Sequence, residues 1–80
     1  MPTTNQLGML KLTISPVRDA EYLRLVAEQI QQLPGVVRVR TTPATLQIEI
    51  IYRQPAAGLL RAVHVALRLA GTEIVAGKAF

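Results

Sequence analysis

The sequence predicts an α+β domain with the element order strand, helix, strand, strand, helix, strand. In three segments apolar residues alternate with polar ones, which is typical of strands that bury one face. Two other segments repeat apolar residues every three or four positions, which indicates helices. With right-handed crossovers, this order gives the ferredoxin-like βαββαβ fold. We therefore expect a four-stranded antiparallel sheet with both helices on one face and with the first and third strands central.

The first strand and the first helix are predicted between Leu10 and Leu33. Apolar and polar residues alternate from Leu10 to Ser15. The helix that follows has one apolar stripe, formed by Leu23, Val26, Ala27, Ile30 and Leu33. Asp19 is the predicted N-cap, because its carboxylate can accept hydrogen bonds from the free N–H groups of the first turn. A proline and a glycine at positions 34 and 35 end the helix.

A hairpin is predicted next. Its first strand covers Val36–Arg40, with Val37 and Val39 on one face, and residues 41–45 form the loop. The inward residues of its second strand are predicted to be Leu46, Ile48, Ile50 and Tyr52. The opposite face of the sheet should be open and should present Lys11, Thr13, Arg38, Arg40, Gln47, Glu49 and Ile51.

The second helix is predicted to have apolar residues on both sides. Pro55 suits its first turn, and Gly71 ends it after Ala70. Its core side is predicted to contain Leu59, Leu60, Val63, Ala66, Leu67 and Ala70. The far side carries Ala62, Val65 and Leu69 between Arg61 and Arg68. A last short strand is predicted at Thr72–Ala76.

The length and composition of the chain indicate a small single domain without disulfides or a membrane span. Eighty residues are enough for one domain, expected at residues 8–80 after a flexible tail at residues 1–7. The tail lacks the basic start and apolar segment of a signal peptide. The longest apolar run, residues 56–76, contains charged residues, so we expect no membrane span. The chain has no cysteine, which excludes disulfides and fits a reducing cytoplasm.

The net charge of +4 leaves room for an anionic partner, but the nine basic residues are spread over every element. RNA-binding domains with a ferredoxin-like fold stack bases on aromatic residues of the sheet. No aromatic residue is expected on the open face, because Tyr52 belongs to the inward set. Binding of nucleic acid should therefore be weak and salt-sensitive at most.

Several segments resemble the heavy-metal-associated domain family, the small βαββαβ modules of copper chaperones and metal-pumping ATPases. The segments that carry this resemblance are Leu10-Lys-Leu-Thr-Ile14, Leu33-Pro-Gly-Val36, Leu46-Gln-Ile-Glu-Ile50, and Leu60-Arg-Ala-Val-His-Val-Ala-Leu67 before Gly71. They cover nearly the whole predicted domain. The Leu-Pro-Gly-Val sequence that ends the first helix is moderately specific for this family. The other segments match the family only in their pattern of residue types.

The resemblance implies the fold but not the family's metal chemistry. Its members hold a soft cation between the two thiolates of a Cys-x-x-Cys pair at the start of the first helix. The matching positions here hold Asp19 and Tyr22, and Val17 stands where a methionine is common. A carboxylate and a phenol cannot replace thiolates for copper(I), so we expect no metal and no cofactor. The alternative is a divergent metallochaperone-like protein that uses Asp19, Tyr22 or His64, with ligands completed by a partner.

Catalytic chemistry is not indicated. Ser15 is the only serine, precedes a proline and lies in no nucleophile motif. His64 is the only histidine, and its place near the core side of the second helix predicts a half-buried, hydrogen-bonded imidazole. No glycine-rich phosphate loop is present. We therefore do not expect an enzyme.

The far side of the second helix is the main candidate for function. Val65 and Leu69, with Arg61 and Arg68 as a polar rim, predict a contact with another protein or with a second copy of the chain. Leu25 on the first helix also faces outward and extends this patch. The competing interpretation is that these are scattered exposed apolar residues, which are normal on protein surfaces.

Overall fold

The structure, a computed structural model, describes residues 6–54 and 58–79. Its strands are β1 (Leu7–Ser15), β2 (Val36–Thr42), β3 (Gln47–Arg53) and β4 (Glu73–Ala79). Its two α-helices are α1 (Ala20–Gln31) and α2 (Leu59–Leu69), and a short 3-10 turn at Pro43–Thr45 joins β2 to β3. No helix among the described residues is long and apolar enough to cross a membrane.

The sheet has the strand order β2-β3-β1-β4, and every neighbouring pair is antiparallel. The predicted ferredoxin-like βαββαβ fold is confirmed, with β1 and β3 in the centre. The core lies between the sheet and the two helices and consists of Leu12, Ile14, Leu23, Val26, Ile30, Ile48, Ile50, Leu59, Val63 and Leu67. Burying each such aliphatic side chain contributes about 1.5–3 kcal/mol, so this layer supplies most of the stabilisation.

The first helix forms as its sequence predicts. Asp19 has an extended backbone, and its Oδ1 atom accepts a hydrogen bond of 2.8 Å from the backbone nitrogen of Tyr22. The predicted N-cap is confirmed. The stripe from Leu23 to Ile30 is buried, while Leu33 lies just beyond the helix, half-buried and packed against the core. Gly35 follows with a φ of +89°, a conformation that glycine adopts without strain.

Both edge strands carry a β-bulge that the alternating pattern did not predict. Val36 pairs with Tyr52 and Arg38 with Ile51, so Val37 is the extra residue in β2. The prediction that Val37 and Val39 share an inward face is wrong, because the bulge turns Val37 outward while Val36 and Val39 pack against the core. A second bulge in β4 leaves Val75 unpaired. Such bulges protect sheet edges from pairing with other strands.

Several predicted element boundaries need correction. β2 extends to Thr42, although residues 41 and 42 were predicted to belong to the loop. Leu7, assigned from sequence to the tail, is the first residue of β1 and pairs with Arg53. Leu46 was expected inward on β3, but it precedes the strand in a left-handed conformation and is exposed. The predicted start of the second helix at Pro55 lies outside the described residues. Among the described residues, α2 begins at Leu59, after Gly58, whose φ of +80° is not helical.

The predicted core side of α2 is partly wrong. Leu59, Val63 and Leu67 are buried, as expected, and define a stripe at four-residue steps. Leu60 is 53% exposed, because it lies on the flank of this stripe that faces β4. The residues of β4 on that side are Gly77 and Ala79, which pair with Leu12 and Leu10 and are too small to cover Leu60. The final strand also runs further than predicted, from Glu73 to Ala79.

Candidate functional site

Two regions carry the residues singled out by sequence: the start of α1 and the outward side of α2. At the start of α1, the Asp19 carboxylate is occupied as the helix cap. The Tyr22 ring packs against the core, and its hydroxyl donates a hydrogen bond to the backbone carbonyl oxygen of Ala70. Tyr22 therefore packs over the edge of the core.

The surroundings of Tyr22 do not resemble a metal site. The Arg18 guanidinium lies 5.8 Å from the centre of the Tyr22 ring, within range of a cation–π contact, and so brings positive charge to the region. Val17 packs against the core. Within the described residues there is no group of three or more histidine, cysteine, aspartate or glutamate side chains that could hold an ion. The donors at this end of α1, a capping carboxylate and a hydrogen-bonded phenol, do not suit copper(I).

His64 is not where the sequence placed it. The predicted half-buried, hydrogen-bonded imidazole is wrong, because the side chain is exposed and no hydrogen bond to it occurs within the described part of the chain. The reason is the phase of α2, whose buried stripe centres on Val63 and leaves His64 in an outer row with Leu60 and Arg68.

The outer face of α2, defined here as Arg61, Val65, Arg68 and Leu69, is exposed as predicted. Leu69 is 85% exposed and Val65 is 50% exposed. Both arginines are exposed beside them, and the sequence of α2 contains no acidic residue. This surface therefore combines apolar area with positive charge.

The outer face of α1, defined here as Glu21, Arg24, Leu25 and Glu28, has the opposite charge. Leu25 is 48% exposed. The Arg24 guanidinium donates to the carboxylates of both Glu21 and Glu28, one turn away on either side. The hydrogen bond to Glu21 and the negative charges of Glu21 and Glu28 raise the pKa of Arg24. Two carboxylates and one guanidinium leave this face with a net charge of −1.

A shallow groove borders α2 on the side of β4. One depression of about 670 Å³ is lined by Gly58, Leu60, Arg61, His64, Val65 and Arg68. It adjoins a second of about 410 Å³, lined by Leu10, Leu12, Leu60, His64, Ile74, Gly77, Lys78 and Ala79. The apolar periodicity of α2 did not predict this groove, because it assigned Leu60 to the core. The small residues at positions 77 and 79 on the inner side of an edge strand were the signal that could have revealed it.

The open face of the sheet carries a row of charged residues. Arg40, Glu49, Lys11 and Lys78 occupy paired positions across all four strands. The Lys11 Nζ lies 3.5 Å from a Glu49 carboxylate oxygen. Tyr52 is on the inner side and packs against the core, and the described residues of the open face include no aromatic ring. This face offers positive charge without a stacking surface for bases.

No protein-family model and no curated protein sequence matches the chain. Solved structures do match. The CsoZ metallochaperone superposes with a TM-score of 0.75 at 20% identity, covering 89% of this chain and 100% of that one. The chain shares its fold. A putative copper-ion-binding protein from Bacillus anthracis str. Ames gives a TM-score of 0.77 at 15% identity, covering 89% and 99%.

A third similar structure is oxidized MerP from Ralstonia metallidurans CH34, with a TM-score of 0.74 at 18% identity, covering 89% of this chain and 100% of that one. At these identities the likeness shows the fold alone. That fold is the ferredoxin-like βαββαβ fold that the sequence predicted.

Proposed function

We propose that this chain is a non-catalytic protein-binding module that keeps the fold of metal carriers without their thiolate chemistry. The observation that carries the proposal is the outer face of α2, where Leu69 is 85% exposed. Full burial of a leucine contributes about 1.5–3 kcal/mol, so a partner that covers Leu69 would gain most of that free energy.

The composition of this face supports a protein partner. Its apolar centre consists of Val65 and Leu69, and its rim consists of Arg61 and Arg68. Interfaces commonly place apolar residues at the centre and polar residues at the rim, and arginine is enriched among the residues that contribute most to binding. The adjoining groove beside Leu60 extends the apolar area toward β4.

The start of α1 supports a role other than metal transport. In this sequence no thiol is available, and Asp19 and Tyr22 both make intramolecular hydrogen bonds. A protein that carried copper(I) through this site would have to break the helix cap and the contact between the two helices.

The absence of cysteine also fits a reducing compartment, and we place the protein in the cytoplasm on that ground.

Affinity purification from the native cell tests the proposal. We expect a protein to co-purify with the wild type and to be lost with Leu69→Glu, because a carboxylate there would be buried without a partner. Val75→Glu is the matched control, since Val75 is 65% exposed but lies on β4. Equal recovery of the same protein with Leu69→Glu and with the wild type would overturn the assignment of α2.

A further inference from the structure

The outer faces of the two helices have the same spacing and opposite charge. On α1 the order is Glu21, Leu25, Glu28, and on α2 it is Arg61, Val65, Arg68. In both faces the apolar residue follows the first charged residue by four positions and precedes the second by three. The charged residues of each face are thus seven positions apart, which is about 10.5 Å along a helix.

The topology allows these faces to meet between two copies. The helices α1 and α2 follow the central antiparallel strands β1 and β3, so they run in opposite directions. Both lie on one side of the sheet, because both contribute residues to the same core. A two-fold axis can run parallel to the helices on the side of the helix layer that faces away from the sheet. This axis places α1 of each copy over α2 of the other. The facing helices are then antiparallel, and the complementary contact forms twice.

We propose that the occupant of the outer face of α2 is the outer face of α1 from a second copy of this chain, in a symmetric homodimer. This inference rests on the proposed protein-binding role of α2. In the dimer Arg61 lies near Glu28 of the other copy and Arg68 near Glu21, while Leu25 meets Val65 and Leu69. Such an isologous arrangement closes at two copies and cannot extend into a fibre.

The bonds that Arg24 already makes do not prevent this contact. Each carboxylate of Glu21 and Glu28 has two oxygens and about four acceptor positions, so it can accept from Arg24 and from an arginine of the other copy together. The side chains of all three residues are more than half exposed, which leaves room for a second guanidinium. The face keeps its net charge of −1 against +2 on α2.

The expected dimer is weak. Two helices of 11 and 12 residues are roughly 17–18 Å long and lie about 10 Å apart, so the layer projects an area of roughly 350 Å² per copy. The two copies together would bury roughly 700 Å², which is less than the about 1,200 Å² at which stable, specific interfaces begin. The dimer should therefore dissociate on dilution, and salt should weaken it because its charged pairs lie at the rim.

Sedimentation velocity over a range of concentrations, with charge-reversal variants, tests the inference. One variant carries Arg61→Glu and Arg68→Glu on α2. The other carries Glu21→Lys, Arg24→Glu and Glu28→Lys on α1, which reverses the outer charges but keeps the ion pairs within the helix. Each variant alone should raise the dimer dissociation constant about tenfold or more, because like charges then face each other at four places.

An equimolar mixture of the two variants should restore a dimer, since both contacts of the mixed pair are again between opposite charges. Circular dichroism should show that each variant stays folded. A wild type that remains monomeric at millimolar concentration, or a mixture that fails to pair, would overturn the homodimer. If the wild type is monomeric while a different protein co-purifies in a Leu69-dependent way, the dimer fails and the proposed function stands. If neither association occurs, both fail.

Discussion

The Tyr22 hydroxyl donates a hydrogen bond to the backbone carbonyl oxygen of Ala70, and so joins the start of α1 to the end of α2. The two residues are 48 positions apart in the chain. Ala70 caps α2, and Gly71 follows with a φ of +89°, which turns the chain toward β4. Tyr22 thus supports the packing of the two helices.

Replacing Tyr22 with phenylalanine should destabilise the fold by about 1 kcal/mol, because the half-buried contact to Ala70 loses its donor while the ring keeps its packing. Equilibrium unfolding in urea measures the change. Tyr52→Phe is the control, since Tyr52 also packs against the core but its hydroxyl makes no hydrogen bond within the described residues. Equal losses in the two variants would show that the bond to Ala70 contributes nothing specific.

Asp19→Ala should lower stability by about 1 kcal/mol, because the backbone nitrogen of Tyr22 loses its acceptor. Asp19→Asn should retain most of the stability, since the amide oxygen can cap the helix in the same way. Thermal unfolding of the three proteins compares these effects. A large loss in Asp19→Asn equal to that in Asp19→Ala would mean that the negative charge matters more than the cap.

Thr72→Val should stabilise the protein by about 1 kcal/mol. Thr72 is 1% exposed, and its hydroxyl oxygen has no hydrogen-bond partner among the described residues. Valine has nearly the same shape and removes the cost of burying an unpaired polar group. The midpoint of urea unfolding should rise for Thr72→Val and fall for Thr72→Ala, which leaves a cavity. A lower midpoint for Thr72→Val would indicate that the hydroxyl is hydrogen-bonded in solution.

Metal titration should give no stoichiometric, submicromolar binding of copper(I), copper(II) or zinc. Copper(I) needs soft ligands, and the carboxylate and phenol at the start of α1 are already hydrogen-bonded. Isothermal titration calorimetry of the wild type measures this directly. Tight binding that disappears in Asp19→Ala or His64→Ala would instead support the alternative of a divergent metallochaperone-like protein.

Local patterns were sufficient to predict most of the fold. The period-two alternation around Leu12 and the Asp19 cap depend on neighbouring residues, and both appear in the structure as expected. The outward position of Val65 and Leu69 also follows from helical spacing alone. These features carry the candidate site, which is why the outer face of α2 was identifiable from sequence.

Contacts between distant segments could not be predicted in this way. The exposure of Leu60 depends on the small residues Gly77 and Ala79 of another strand. The bulge at Val37 depends on the pairing of β2 with β3, because the sequence of β2 alone predicts a regular strand. The bond between Tyr22 and Ala70 joins two helix ends that no local pattern relates. Tertiary packing decided each of these features.

Site-specific photo-crosslinking in the native cell tests the central claim most directly. A photoreactive amino acid at position 69 should form a covalent adduct with a protein, whether a second copy of this chain or another partner, because the proposed function places this position at the contact. The same amino acid at position 75, exposed on β4, should form none. Adducts at position 75 with none at position 69 would contradict a protein-binding role for the outer face of α2.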